Sequence, residues 1–181
     1  DEPVRLARAQ WLAADTDLYL AGLERDNGKR YLLPLAVYWT ADQTPQQALA
    51  KVRRVAQVGT LCDAMYEPAF VRRLVSLLAA GETLLLDGVD GALEFLPEPG
   101  WQLPDDAELR WVTAEQSNSS VIIGDQAVFK LLRTVQHGDT PEAEMTRHLT
   151  RAGYANTPAL LGEIRRTGAG APAQTVALMH Q

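Results

Sequence analysis

A lysine lies inside an apolar run, where a charged residue needs a partner. Lys130 falls within the predicted strand 127–132, and an ammonium group away from water is costly unless it is paired. The predicted partner is Glu144, because Thr140 and Pro141 have the types preferred at the N-cap and at the first position of a helix. Such a helix could turn Glu144 toward the strand. Taken alone, Lys130 could equally be an edge-strand lysine whose ammonium group reaches water.

A polar segment of small residues precedes this strand. It leads into a short apolar strand, 121–123, and then into Gly124-Asp125, which is typical of a tight hairpin turn with a positive φ at glycine. Oriented backbone N–H groups in such a segment favour anions. A small-residue hairpin over phosphates, a strand lysine that contacts them and a helix glutamate that orients the lysine form the upper half of a kinase-type nucleotide site. The predicted nucleotide-binding residues are Ser117, Asn118, Ser119, Ser120, Lys130 and Glu144.

The order and spacing of four short motifs resemble the N-lobe of bacterial maltokinases, a family that includes the maltokinase region fused to trehalose synthase. The motifs are Gln116-Ser-Asn-Ser-Ser120, Gly124-Asp125, Phe129-Lys-Leu-Leu-Arg133 and Pro141-Glu-Ala-Glu144. Upstream, the segments 31–36, 58–64 and 70–73 resemble the cap that precedes the N-lobe in that family. The match is looser over the first 30 residues, where Trp11 stands without the basic neighbours of the family's usual opening motif.

The resemblance implies ATP-dependent phosphorylation of maltose to maltose 1-phosphate. It implies ATP and Mg²⁺ as cofactors of a longer parent enzyme, neither held tightly by this part, and the enzyme's own C-lobe and a fused trehalose synthase as partners. In the family, the proton-accepting carboxylate and the Mg²⁺ ligands belong to the C-lobe, so no catalytic and no metal-binding residue is assigned here. We therefore expect no phosphoryl transfer by this part alone. Two alternatives stay open, a kinase of another sugar such as glucosamine and a non-catalytic interaction or regulatory domain attached to trehalose synthase.

Two other features could suggest catalysis, and both favour structural interpretations. His137-Gly138-Asp139 has the His-x-Asp form of a kinase catalytic loop, but Glu144 stands five positions later, where a second Mg²⁺ site would require asparagine. Asp139 is therefore better explained as a turn or capping residue. Cys62 lies between Leu61 and Asp63 and is expected to be a small buried residue rather than a nucleophile.

Composition limits the classes of partner. The chain has 46% hydrophobic and 22% charged residues, a net charge of −6 and a pI near 5.1. This balance argues against nucleic-acid binding. No apolar run approaches the roughly 18 residues of a membrane span and no signal peptide is visible, so no membrane partner is expected. A single cysteine fits a reducing compartment, and the predicted location is cytoplasmic.

The predicted fold class is α+β, with an N-terminal α/β cap over residues 1–103 and a kinase-like N-lobe, an antiparallel sheet with one helix, over 104–181. The boundary follows the segment 96–104, which has three prolines between positions 97 and 104. In the cap, the predicted strands are 17–25 and 31–39 and a helix starts near Glu67. A further helix is predicted from Thr44 to Gly59, because apolar residues recur there at helical spacing. They are Leu49, Val52, Val55 and Ala56.

Overall fold

The computed structural model has an α+β architecture, as predicted. It divides into two compact units, Asp1–Leu74 and Val75–Gln181. The residues that the structure describes are 4–11, 18–25, 27, 29–39, 45, 47–86, 90–112, 117–136, 138–168 and 170–181.

The first unit contains an antiparallel sheet in which β1 to β5 pair in the order β1-β2-β3-β5-β4. Its strands are β1 (Val4–Trp11), β2 (Leu18–Arg25), β3 (Arg30–Tyr38), β4 (Ala48–Arg54) and β5 (Gln57–Asp63). The predictions of β2 and β3 are confirmed, because two alternating apolar runs on either side of an Asp-Asn-Gly sequence are a strong local signal. Strand β1 was not predicted.

The helix predicted between Thr44 and Gly59 is wrong. Thr44 and Gln46 lie outside the described residues, and residues 48–59 form the hairpin of β4 and β5. Helical spacing of Leu49 and Val55 suggested one buried face, yet these side chains are 56% and 90% exposed. The β-branched valines in this stretch favour strands, and the turn between the strands holds Val55 at φ 56°.

A helix follows the first sheet, as predicted. After a short 3₁₀ turn at Ala64–Tyr66, α1 spans Pro68–Ala80. Phe70, Leu74 and Leu78 on its apolar side are at most 1% exposed. The helix ends at Gly81, whose φ of 66° is the left-handed conformation that glycine adopts at little cost.

The second unit is built on an antiparallel sheet of seven strands in the order β6-β7-β12-β13-β10-β9-β8. The predicted antiparallel sheet with one helix, α2, is therefore confirmed. Its elements are β6 (Thr83–Leu85), β7 (Gly91–Pro97), β8 (Leu109–Val112), β9 (Asn118–Ile123), β10 (Ala127–Leu132), β11 (Thr134–Val135), α2 (Pro141–Arg151), β12 (Leu160–Gly168) and β13 (Ala171–His180).

The proline-rich segment after β7 has no regular helix or strand, as its composition indicates. Strands β6 and β7 precede residue 103, yet they pair within the sheet of the second unit. The division of the molecule into a cap over 1–103 and an N-lobe over 104–181 stays a prediction about functional subdomains.

The two faces of the second sheet differ. One face carries the large, fully buried side chains Phe129, Leu131 and Met179. On the other face, Ala143 of α2 packs between Leu160 and Leu178. Helix α2 therefore lies on the face that also carries Lys130, because paired residues of antiparallel strands point the same way.

Candidate functional site

Strand register places the predicted lysine among specific neighbours. Lys130 on β10 is directly opposite Ser120 on β9 and Leu178 on β13. Two residues earlier, Val128 is opposite Ile122 and His180 in the same way. Side chains alternate between faces along a strand, and directly opposite residues point the same way. The residues paired at Lys130 and those paired at Val128 therefore lie on one face of the sheet.

Helix α2 supplies a carboxylate to Lys130, but it is not the predicted one. The Nζ atom of Lys130 lies 3.0 Å from both carboxylate oxygens of Glu142. Pairing with Glu144 is therefore wrong. Residues two apart on a helix do not face the same side. Both glutamates are exposed, and it is Glu142, with a side chain 41% exposed, that reaches the lysine.

The start of α2 follows the predicted capping chemistry. The Thr140 hydroxyl accepts a hydrogen bond from the backbone N–H of Ala143 at 3.2 Å, and Pro141 occupies the first turn. Acidic side chains in the first turn interact favourably with the helix dipole. The Glu142 carboxylate therefore sits at a helix N-terminus and contacts a lysine whose side chain is 20% exposed.

The predicted serine segment is divided between the two faces of the sheet. Asn118 and Ser120 share the face of Lys130, since they pair with β10 at Leu132 and Lys130. Ser120 is buried and Ser117 is exposed. The Ser119 hydroxyl instead accepts a hydrogen bond from Arg133 at 2.8 Å. Gln116 lies outside the described residues.

Beside Lys130, the sheet offers an apolar surface. Ile122 and Val128 are half-buried and directly opposite each other. They lie in the row next to Ser120 and Lys130, about 7 Å along the strands at the usual rise per residue. The face therefore combines a charged and hydroxyl-bearing pair with a neighbouring apolar pair.

His180, at the end of β13, is a member of this cluster that the sequence did not indicate. Its Nε2 atom lies 3.9 Å from a Glu142 oxygen and has no hydrogen-bond partner among the described residues. Burial lowers the pKa of His180; the Glu142 carboxylate opposes that shift and the Lys130 ammonium adds to it. His180 is therefore a neutral imidazole at neutral pH.

A second polar cluster fixes the other half of α2. Arg147 donates two hydrogen bonds to Glu163 on β12, at 2.9 and 2.7 Å, and one to Asp139 at 2.9 Å. Thr175 on β13 donates to the other Asp139 oxygen at 2.5 Å. These bonds, to two carboxylates, raise the pKa of Arg147. The sequence contained a signal for this cluster, since Glu163 is a charged residue within the otherwise apolar stretch 160–164.

Asp139 and Cys62, which the sequence assigned structural roles, both have structural contacts. Burial tends to raise the pKa of Asp139, but the hydrogen bonds from Arg147 and Thr175 outweigh it and the pKa lies below its ordinary value. Asp139 is thus committed to the ion-pair network. Cys62 is fully buried, and burial with the nearby Glu67 carboxylate raises the pKa of its thiol to about 11. A thiol of this kind is a poor nucleophile.

The described residues include no group of three or more His, Cys, Asp or Glu side chains arranged to hold a metal ion. Neither of the α-helices in the described ranges combines the length and apolar character that a bilayer span needs.

The contacts of Lys130 and its neighbours indicate what kind of ligand this face could bind. Lys130 is paired and partly exposed, so its ammonium group can reach an anion without leaving Glu142 unpartnered in a dry interior. Ser120 and Asn118 lie on the same face, and Ile122 and Val128 provide an apolar surface beside them. These residues are chemically suited to an anionic ligand that also has an apolar part.

Comparison with known proteins identifies the fold. No protein-family model matches the chain. Among solved structures, it is similar to glucosamine kinase in complex with glucosamine, ADP and inorganic phosphate, with a TM-score of 0.61 at 20% identity over 98% of this chain and 35% of that chain. Crystal forms B and A of glucosamine kinase give TM-scores of 0.61 and 0.57, also at 20% identity, over 98% of this chain and 34% of those chains.

The chain therefore shares the fold of the matching part of glucosamine kinase. It spans about a third of the length of the glucosamine kinase chains it matches.

Proposed function

We propose that this chain is the cap and N-lobe of an ATP-dependent sugar kinase and binds the nucleotide phosphates. The observation that carries the proposal is the Lys130–Glu142 ion pair directly beside Ser120 on one face of an antiparallel sheet. A strand lysine held by a helix glutamate is the arrangement with which kinase N-lobes contact the α- and β-phosphates. Lys130 contacts the phosphates and Glu142 orients Lys130.

The residues of β9 have different roles in this proposal. The backbone N–H groups and side chains at the start of the strand, with Asn118 and Ser120 on the lysine face, face the phosphates. Ser119 supports the strand through Arg133 rather than contacting the ligand with its hydroxyl. The Mg²⁺ ligands and the base that accepts the sugar proton belong to a C-lobe of the longer enzyme. Phosphoryl transfer therefore requires that lobe, and this chain alone is inactive.

For the sugar, we propose maltose, converted to maltose 1-phosphate. The support is the ordered set of motifs that resembles maltokinases, including the segment from Phe129 to Arg133. Glucosamine is the alternative, favoured by the structural similarity to glucosamine kinase at 20% identity. A fused trehalose synthase as partner and a cytoplasmic location belong to the maltokinase proposal.

A non-catalytic regulatory domain is the weaker alternative. A domain without nucleotide binding has no need to keep a lysine inside a sheet with a carboxylate at 3.0 Å. Truncating one member of a partly buried ion pair is usually destabilising, whereas replacing both with apolar residues is often neutral. A relic domain would be expected to lose the pair.

The first test is nucleotide binding by this chain. Titration calorimetry with ATP, with and without Mg²⁺, is compared for the wild type and for Lys130→Met, Glu142→Gln and Glu144→Gln. We expect Lys130→Met to weaken binding by about tenfold or more, as for the loss of a hydrogen bond to a charged group, about 1.5–3 kcal/mol. Glu142→Gln weakens binding less, and Glu144→Gln leaves it unchanged.

The second test is turnover by the longer enzyme, followed by ADP release with maltose, glucose and glucosamine as acceptors. Maltose-dependent ADP release that Lys130→Met abolishes supports the full proposal. Release only with glucosamine retains the kinase function and changes the substrate. If Lys130→Met binds ATP as tightly as the wild type, the proposed phosphate site is refuted.

A further inference from the structure

A cavity of about 390 Å³ lies between the C-terminal half of α2 and strands β7 and β12, within the second unit. Its polar wall includes Arg147, Arg151 and Arg165, and its apolar wall consists of Leu96 and Pro97. The volume lies in the range of sites for small molecules, roughly 300–1,000 Å³. Guanidinium groups are well suited to phosphate and carboxylate groups, because their N–H donors form a planar fork.

Both carboxylates that line this cavity are already paired with arginines. Arg147 donates hydrogen bonds to both oxygens of Glu163, whose side chain is 5% exposed. Arg151 donates from Nε and from a terminal nitrogen to one oxygen of Glu98, at 3.3 and 3.0 Å. Each of these two carboxylates therefore balances the charge of one arginine, and the positive charge that remains in the cavity wall is that of Arg165.

Arg165 carries a buried donor that lacks an acceptor. Its Nε atom is buried without a hydrogen-bond partner among the described residues. Glu94 on β7 and Thr175 on β13 lie directly opposite Arg165, but no ion pair joins the described side chains of Arg165 and Glu94. Asp139 is near enough to interact with Arg165 through its charge, but its two oxygens are held by Arg147 and Thr175. A buried N–H of this kind calls for an explanation.

We propose that this cavity binds a small organic anion, whose phosphate or carboxylate group is held by Arg165 and whose apolar part lies against Leu96 and Pro97. The anion supplies the acceptor that the Nε–H of Arg165 lacks, and a charge-assisted bond to a guanidinium is stronger than a neutral one. The inference goes beyond the proposed nucleotide site, because neither Lys130 nor Glu142 lines this cavity.

The three arginines have different roles in this proposal. Arg165 makes the main contact with the anion. Arg147 stays with Glu163 and Asp139, to which three of its N–H donors are committed, and holds the wall of the cavity in place. The Arg151 side chain is 64% exposed, so it adds a second contact that is weakened by water, as exposed ion pairs are.

The direct test observes Arg165 in the wild-type chain. Inorganic phosphate, phenyl phosphate and benzoate are titrated at constant ionic strength, and the Nε–H resonances of ¹⁵N-labelled arginine are followed by NMR, with Arg165→Lys to assign the signal. We expect the Arg165 resonance to shift to saturation. Phenyl phosphate should bind about fivefold more tightly than inorganic phosphate, the gain from burying roughly 40 Å² of apolar surface. Comparison with benzoate distinguishes phosphate from carboxylate ligands. An Arg165 resonance that none of the three ligands shifts overturns the proposal.

Matched variants separate this cavity from the nucleotide site. Arg165→Gln removes the proposed contact, Arg166→Gln makes the same charge change on the other face of β12, and Lys130→Met alters the nucleotide site. By calorimetry, phenyl phosphate should bind about tenfold or more weakly to Arg165→Gln, as for the loss of a hydrogen bond to a charged group, and nearly as in the wild type to the other two. Weakening by Lys130→Met but not by Arg165→Gln overturns the inference. Failure of the chain to bind ATP refutes the nucleotide site and leaves this cavity to be decided by the Arg165 titration.

Discussion

Replacing Arg147 with methionine is the perturbation that best tests how α2 is held on the sheet. Helix α2 buries Ala143 fully and is otherwise largely polar on the described side chains. Helices usually dock through a broad apolar stripe. Here three hydrogen bonds from Arg147, to Glu163 and Asp139, take over much of that role.

The expected magnitude follows from what the substitution leaves behind. The Glu163 side chain is 5% exposed, and Arg147 is its bidentate partner. Removing one member of a buried ion pair typically costs about 3–5 kcal/mol, because the other charge stays buried without compensation. Asp139 adds less, since it is more exposed and retains its bond from Thr175. We expect a loss of about 3–4 kcal/mol from the free energy of unfolding.

Urea unfolding, with comparison of slopes as well as midpoints, measures this loss. The matched control is the double variant Arg147→Met/Glu163→Gln, which removes the buried charge along with its partner. We expect it to recover at least half of the loss, because an apolar or neutral replacement of a whole pair is often tolerated. A loss below about 1 kcal/mol for Arg147→Met, or no recovery in the double variant, would refute the reasoning.

Three further predictions concern single sites. Val55→Gly should raise the free energy of unfolding, measured in urea, by about 0.5–1 kcal/mol. The left-handed backbone of Val55 costs a residue with a side chain roughly 1–2 kcal/mol, which exceeds the extra backbone entropy that glycine loses on folding, and the Val55 side chain is 90% exposed. A loss of stability would contradict this. The lowered pKa of Asp139 means that its contribution to stability is present above the ordinary value of 3.8 and is lost as pH falls through the folded pKa. Acid unfolding of Asp139→Asn should therefore depend less steeply on pH, and an unchanged slope counts against the network. Cys62, with a thiol pKa of about 11, reacts with a disulfide reagent far more slowly in the native chain than in urea; equal rates contradict its burial.

Features that depend on adjacent residues were predictable from the sequence. The start of α2 needs Thr140 and Pro141, and the hairpin turn needs Gly124, whose φ is 55°. Each of these preferences acts within a few residues, so single-sequence rules capture it. The hairpin of β4 and β5 was mistaken for a helix because the spacing of its apolar residues fits both structures. Most of the side chains of β4 are exposed, so the pattern does not mark a buried face.

The choice between Glu142 and Glu144 was not predictable, and the reason is physical. Both residues lie in the first turn of α2, and both are acidic residues suited to that position. Which one faces Lys130 depends on the rotation of the helix on the sheet. That rotation is fixed by contacts elsewhere on the helix, namely Ala143 against Leu160 and Leu178, and Arg147 against Glu163.

Lys130 and Glu163 are therefore linked by α2. Lys130 lies in an otherwise apolar strand and Glu163 in the apolar first half of β12, and each is paired from this one helix, at Glu142 and at Arg147. The two pairing residues are five positions apart, so a rotation that breaks one pair displaces the other. The position of the lysine that we propose for phosphate binding consequently depends on an ion pair further along the helix. For this reason, Arg147→Met should weaken ATP binding as well as stability, although Arg147 does not contact Lys130.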